Sequence, residues 1–205
     1  MKNILVFGGV SYNLMIEVDE FPDPVPQTIS AKNFHEAIGS TGAGKSFALQ
    51  ALGMNFTFHG IIGEDKYGFL IGQRFAEEGI NFVYDICTTG TERHVNLHKN
   101  ATGQRLSLFL TSPPEDVELD EDRIERLIQK SDVLFYNIAP YCKRFLPLVK
   151  KHRKQVWCDL HSYAWEKGLS LKKCLGYGTI TGGLAVTSPE LTRDKLEVEY
   201  TRLFG

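Results

Sequence analysis

The chain has 205 residues, 42% of them hydrophobic, with 23 basic and 25 acidic side chains and a formal net charge of −2. A chain of this length fits one domain and buries roughly 70% of the surface that its unfolded form exposes. Its balanced charge gives no electrostatic footprint for nucleic acid or an anionic membrane, so a small neutral or anionic ligand is the expected partner.

The first segment, "NILVFGG", is a short apolar run closed by glycines, as expected of a strand buried on both faces of a parallel sheet. No apolar stretch is long enough to span a bilayer, which predicts a soluble, cytoplasmic protein. "LMIEVDEF" and "TISAKNFHEAI", separated by the turn-rich "PDPVP", read as half-covered antiparallel strands beside the main sheet. "GKSFALQAL" has helical spacing and ends at Gly53, a C-terminal cap. "FTFHGIIG" and "NFVYDI" read as strands around the amphipathic helix "KYGFLIGQRFAEEG", with Asp65 as its N-terminal cap.

"RHVNLHKNATGQRLSLFL" reads as a hairpin. Its alternation puts Arg93, Val95 and Leu97 on one face and His94, Asn96 and His98 on the other. "DEDRIERLIQKS" (helix), "DVLFYNI" (strand), "CKRFLPLVKKHR" (helix) and "QVWCDL" (strand) follow, then helical patterns in "TITGGLAVT" and "RDKLEVEYTRLF". Alternating strands and helices indicate an α/β domain. Cys87, Cys142, Cys158 and Cys174 form no C-x-x-C pair and read as reduced thiols, and His94 and His98 lack a well-spaced third ligand, so no metal site is expected.

Gly39 to Ser46 matches the phosphate-loop pattern G-x-x-x-x-G-K-[ST]. The preceding "AKNFHEAI" carries Lys32, His35 and Glu36 and makes a poor buried strand, while Asp159 alone offers a magnesium-binding aspartate at a strand end. Asp159 and Asn137 each end a predicted strand, where ligands of open α/β sheets bind. Lys45, unfavourable with the dipole of a helix's first turn, points to a nearby anion.

Taken in order, "ILVFGGVSYN", "AIGSTGAGKSFALQALG", "LGMNFTFHGIIGEDKYG" and "GTERHVNLHKNATGQRLSLFL" resemble the ribokinase-like (PfkB) carbohydrate kinases. The most specific piece is G-x-x-G-x-D-x-x-G at Gly60, Gly63, Asp65 and Gly68. The resemblance implies a ribokinase-like three-layer α/β sandwich forming one domain over residues 1–205, with a mostly parallel sheet. It also implies a small β-sheet lid, with lid strands within residues 14–38 and 91–111, that covers the sugar and pairs with a second subunit's lid. The implied reaction is transfer of the γ-phosphoryl of ATP, with magnesium, to a sugar hydroxyl. Ser11, Asn13, Gly42, Gly44, Lys45 and Arg93 would form the sugar side, with Asn137 and Asp159 toward the nucleotide.

Three departures matter. Asn13 stands where family members carry an acidic sugar-binding residue, and Gly39-Ser40 stands in place of a glycine pair. The G-A-G-D motif, whose aspartate is the family's general base, does not occur in the sequence. The expectation is a truncated chain lacking an internal nucleotide-binding segment, left with an exposed sheet edge and prone to associate. A missing base costs ~10²–10⁴ in rate, so two further readings stay open: an inactive sugar-binding or subunit-interaction protein, and a phosphate-loop nucleotidase.

Overall fold

The computed structural model describes residues 2–137 and 140–158. The helical patterns expected in "TITGGLAVT" and "RDKLEVEYTRLF", together with Asp159 and Cys174, lie outside the described residues. Sheet A is built from β1 (Ile4–Phe7), β4 (Phe56–Gly63), β5 (Phe82–Cys87), β8 (Val133–Tyr136) and β9 (Gln155–Cys158), in the order β5-β4-β1-β8-β9. Every pairing in it is parallel, with β1 central and Ile4 aligned with both Phe56 and Val133.

The strand β1 is apolar at every position because both of its faces are covered. Ile4 and Val6 face α1 (Thr41–Ala51) and α2 (Lys66–Glu77), packing with Leu49, Ile71 and Phe75. Leu5 and Phe7 face α3 (Glu121–Lys130), α4 (Pro140–Lys143) and α5 (Leu146–Lys151), packing with Ile124, Phe145 and Val149. Two helical layers therefore enclose the sheet, and the α/β sandwich expected from the sequence is present. Among the described residues no helix is long and apolar enough to cross a membrane.

Sheet B comprises β2 (Ser11–Glu17), β3 (Asn33–Gly39), β6 (Arg93–Lys99) and β7 (Gln104–Thr111), ordered β3-β2-β6-β7. Its outer pairs are antiparallel and its central pair, β2 with β6, is parallel. The third strand is shorter than "TISAKNFHEAI" suggests: β2 ends at Glu17, which pairs with Asn33, so nothing upstream of Asn33 has a ladder partner.

The segment "CKRFLPLVKKHR" is a single helix by pattern but forms two. Pro147, at the start of α5, has no N–H for the carbonyl of Lys143 and its ring crowds that turn, so the helix closes and restarts. The helix α1 begins at Thr41, three residues before the start of "GKSFALQAL", while α2 starts as expected, with Asp65 accepting from the backbone N–H groups of Tyr67 and Gly68. Asp120 does the same for Arg123 at the start of α3. Cys87 and Cys142 are buried thiols.

Candidate functional site

The carboxyl end of β1 meets the start of α1 through unusually close backbone packing. A Cβ on Gly42 would lie 2.6 Å from the carbonyl oxygen of Gly9 and 2.8 Å from the carbonyl carbon of Gly8, so only glycine allows this approach. The contact is sealed by a hydrogen bond from the N–H of Ala43 to the carbonyl of Gly9, 3.2 Å. Asn137, just past β8, closes the other side, its Cβ 2.8 Å from where a Gly8 Cβ would stand.

Immediately beyond, β2 directs Ser11 and Asn13 to one face, as alternation requires. Ser11 is 0% and Asn13 7% exposed, yet neither Ser11 Oγ nor Asn13 Oδ1 has a hydrogen-bond partner among the described residues. Gly39, paired with Ser11 across β3, leaves the room they occupy: a Cβ there would stand 2.2 Å from Asn13 Nδ2 and 3.3 Å from Ser11 Oγ. Buried polar atoms are normally satisfied, so two adjacent orphans mark a place built to be completed by something else.

Sheet B presents the same face along β6. Asn96 Nδ2 reaches the Met15 sulfur at 3.4 Å and its Oδ1 accepts from Ser107 Oγ at 2.6 Å, while His94 packs against Phe109 with ring centroids 3.9 Å apart. Of the two faces of "RHVNLH", it is therefore the His94–Asn96 face that continues from Ser11 and Asn13. Arg93 points the other way, its guanidinium 3.7 Å over the ring of Tyr67, which also contacts Tyr12.

Gly42 and Gly44 lie in the first turn of α1, and Lys45, buried, opens the second. The strand before them is exposed and belongs to sheet B, unlike the buried strand that precedes a phosphate loop. The serine hydroxyl of the motif is also occupied, with Ser46 Oγ donating to the carbonyl of Gly42 at 2.9 Å. Asn137 joins the Gly8–Gly9 end of β1, whereas Asp159 lies outside the described residues. Among the described residues no group of three His, Cys, Asp or Glu side chains is placed to hold a metal.

One residue at this site escaped the sequence reading. Ser40, the residue before α1, sits at φ 73° and ψ 160°, a region essentially reserved for glycine. Its hydroxyl lies against Gly9, 2.5 Å from where a Cβ on that glycine would stand. The signal was visible as the serine in Gly39-Ser40, but its conformation was not.

Two ionisable clusters flank the site. Burial alone pushes the Asp65 carboxyl up, but hydrogen bonds from Thr91, Gly68 and Tyr67 outweigh it and hold it below the usual carboxylate range. In the core, His59 Nε2 lies 2.9 Å from Asp85 Oδ2, and Asp85 also pairs with Arg123. Burial pushes His59 below its ordinary value despite that carboxylate. Its Nδ1 has no partner among the described residues, which fits a neutral ring donating from Nε2.

Comparison with known proteins adds an independent observation: residues 1–149 match the profile of the pfkB family carbohydrate kinases. The chain belongs to this family. A pfkB relative, the acarbose 7(IV)-phosphotransferase of Actinoplanes sp., is 30% identical over 121 residues, covering 59% of this chain and 39% of that protein. The structure of a microbiome-derived acarbose kinase superposes with a TM-score of 0.70 at 27% identity, over 78% of this chain and 53% of that one. Arabidopsis thaliana ribokinase, solved with ribose and ATP, shares the fold with a TM-score of 0.62 at 21% identity, over 77% of this chain and 53% of its own. The chain thus spans only part of the length of the pfkB proteins it matches.

Proposed function

We propose that this pfkB-family chain binds an acceptor sugar on Ser11 and Asn13, beneath sheet B, as the sugar side of an ATP-dependent carbohydrate kinase. The observation that carries the reading is the pair of buried, partnerless oxygens, Ser11 Oγ and Asn13 Oδ1, beside Gly39. Sugar hydroxyls are the natural complement: each O–H donates to one of these acceptors, and a site with unmet buried acceptors discriminates strongly against molecules that lack the donor. Asn13 is neutral where a carboxylate would bind a hydroxyl more tightly, and the buried Lys45 near the start of α1 suits an acidic or phosphorylated sugar.

In the proposed reaction a sugar oxygen attacks the γ-phosphorus of ATP in line, the bond to the bridging oxygen breaks, and ADP leaves. The described residues orient the sugar and, through sheet B acting as a lid, exclude water that would otherwise compete as acceptor. Arg93, stacked on Tyr67, helps to seat that lid. Asn137, at the end of β8, faces the phosphate side. The buried thiols of Cys87 and Cys142 fit a reducing cytoplasm.

A second reading is sugar binding without transfer, carried by the same two buried oxygens. The phosphate-loop reading has less support, because Ala43 N–H and Ser46 Oγ are already committed to backbone carbonyls. Transfer of labelled γ-phosphate from magnesium–ATP to a panel of sugars, D-ribose and acarbose included, separates these readings. Transfer abolished by Asn13→Ala supports the kinase, sugar binding without transfer supports the second reading, and neither overturns both.

A further inference from the structure

The only aspartate of the G-x-x-G-x-D-x-x-G stretch does more than cap α2. Asp65 Oδ1 accepts from the N–H groups of Tyr67 and Gly68, both at 2.9 Å, which is the cap. The same carboxylate receives Thr91 twice: the Thr91 N–H on Oδ2 at 2.8 Å and the Thr91 hydroxyl on Oδ1 at 2.7 Å. Thr91, 1% exposed, stands two residues before β6, at the root of sheet B. Its hydroxyl in turn accepts from the Gly63 N–H at 2.9 Å, and its carbonyl accepts from the hydroxyl of Thr111, the last residue of β7, at 2.6 Å. One buried residue therefore gathers the end of β4, the start of α2 and both ends of the β6–β7 hairpin.

The fit leaves no slack. A Cβ on Gly63 would stand 2.4 Å from the Thr91 nitrogen, and one on Gly68 would stand 2.2 Å from the Gly63 carbonyl oxygen. The next turn of contacts runs the same way, since Tyr67, two residues beyond Asp65, packs under Tyr12 of β2 and Arg93 of β6.

We propose that Asp65 is the positioning residue that anchors sheet B to the α/β body, fixing its height and tilt over Ser11 and Asn13. The anchoring stands on the hydrogen bonds alone; its consequence for sugar binding rests on the function proposed above. A charged acceptor is required because all four groups facing it are donors, and hydrogen bonds to a carboxylate are about twice as strong as neutral ones. Asp65→Asn separates the anchor from the cap: asparagine caps a helix as well as aspartate and keeps an oxygen in the place of Oδ1, but its amide N–H₂ in the place of Oδ2 would face the Thr91 N–H.

The test is amide hydrogen exchange of the full 205-residue chain without sugar or nucleotide, so its outcome does not depend on whether the protein is a kinase. Asp65→Asn should speed exchange in residues 93–99 and 104–111 by about tenfold or more, with residues 4–7 and 56–63 unchanged. Thr91→Val should loosen the same strands, and Thr91→Ser, which keeps the hydroxyl, should restore wild-type protection. Unchanged sheet B exchange in both Asp65→Asn and Thr91→Val, or equal acceleration in sheet A, would overturn the proposal. Should Asp65→Asn not fold, the contrast between Thr91→Val and Thr91→Ser decides alone.

Discussion

Ser40 carries the sharpest conflict between a residue and its backbone. A side chain at φ 73°, ψ 160° costs roughly 1–3 kcal/mol, and such strain collects where a site demands it. Ser40→Gly relieves the strain while adding back roughly 0.4–1 kcal/mol of unfolded-state freedom. The expected result is a net gain of about 1 kcal/mol in urea denaturation; a loss would mean the serine stabilises its turn. His59 gives a pH signature. Its folded pKa lies below its unfolded value, so the unfolded chain takes up the proton first and stability falls as pH drops below about 6.5. Unfolding midpoints compared at about pH 7 and about pH 5 should show that fall, and His59→Gln should flatten it. The Asp65 contribution has the other window, present above about pH 3.9 and lost as pH falls through the lowered folded value. At this scale the sequence singled out Ser11 and Asn13 through the family resemblance, while their burial without hydrogen-bond partners among the described residues was not legible. The stacking of Arg93 on Tyr67 was not legible, because alternation fixes which residues share a face but not what each face packs against.

Among the elements, α1 shows why the phosphate-loop pattern does not by itself specify a phosphate loop. The pattern records glycines, a lysine and a serine, whereas the cradle depends on the strand before them and on free N–H groups. Here the glycines serve close packing against the end of β1. Gly42→Ala should cost ~1–3 kcal/mol, because the added methyl meets the Gly9 and Gly8 backbone and the Phe58 ring at 2.6–2.8 Å. A urea titration showing no loss would mean that α1 can move off β1, and the site geometry would need revision. The strands of sheet A were readable from their apolar runs, and the cap of α2 from Asp65. The break between α4 and α5 was in principle readable from Pro147, which the helical spacing of "CKRFLPLVKKHR" overshadowed. The start of β3 was not readable, since it depends on where its partner β2 ends.

For the molecule as a whole, the face of sheet B turned away from Ser11 and Asn13 is apolar. Ile16 pairs with Phe34 and Leu97, and Val95 with Leu108, while Phe34 and Leu108 are 69% and 51% exposed. A sheet face of this kind is covered in most proteins. The lid pairing that the family resemblance implies would cover it with a second copy, and the wild-type chain should then sediment as a dimer that Leu108→Lys dissociates; a wild-type monomer would count against it. The α/β class and the family were legible from the order of glycine motifs, which are local. The parallel β2–β6 contact of sheet B was not, because it joins segments about eighty residues apart. The most direct test of the account is a thermal-shift screen of the full chain against mono- and oligosaccharides, sugar acids and sugar phosphates, repeated with Asn13→Ala. The account predicts at least one sugar that raises the wild-type Tm by about 5 °C or more at saturation and leaves the variant unmoved. No responding sugar, or an equal shift in the variant, would contradict a sugar site built on Ser11 and Asn13.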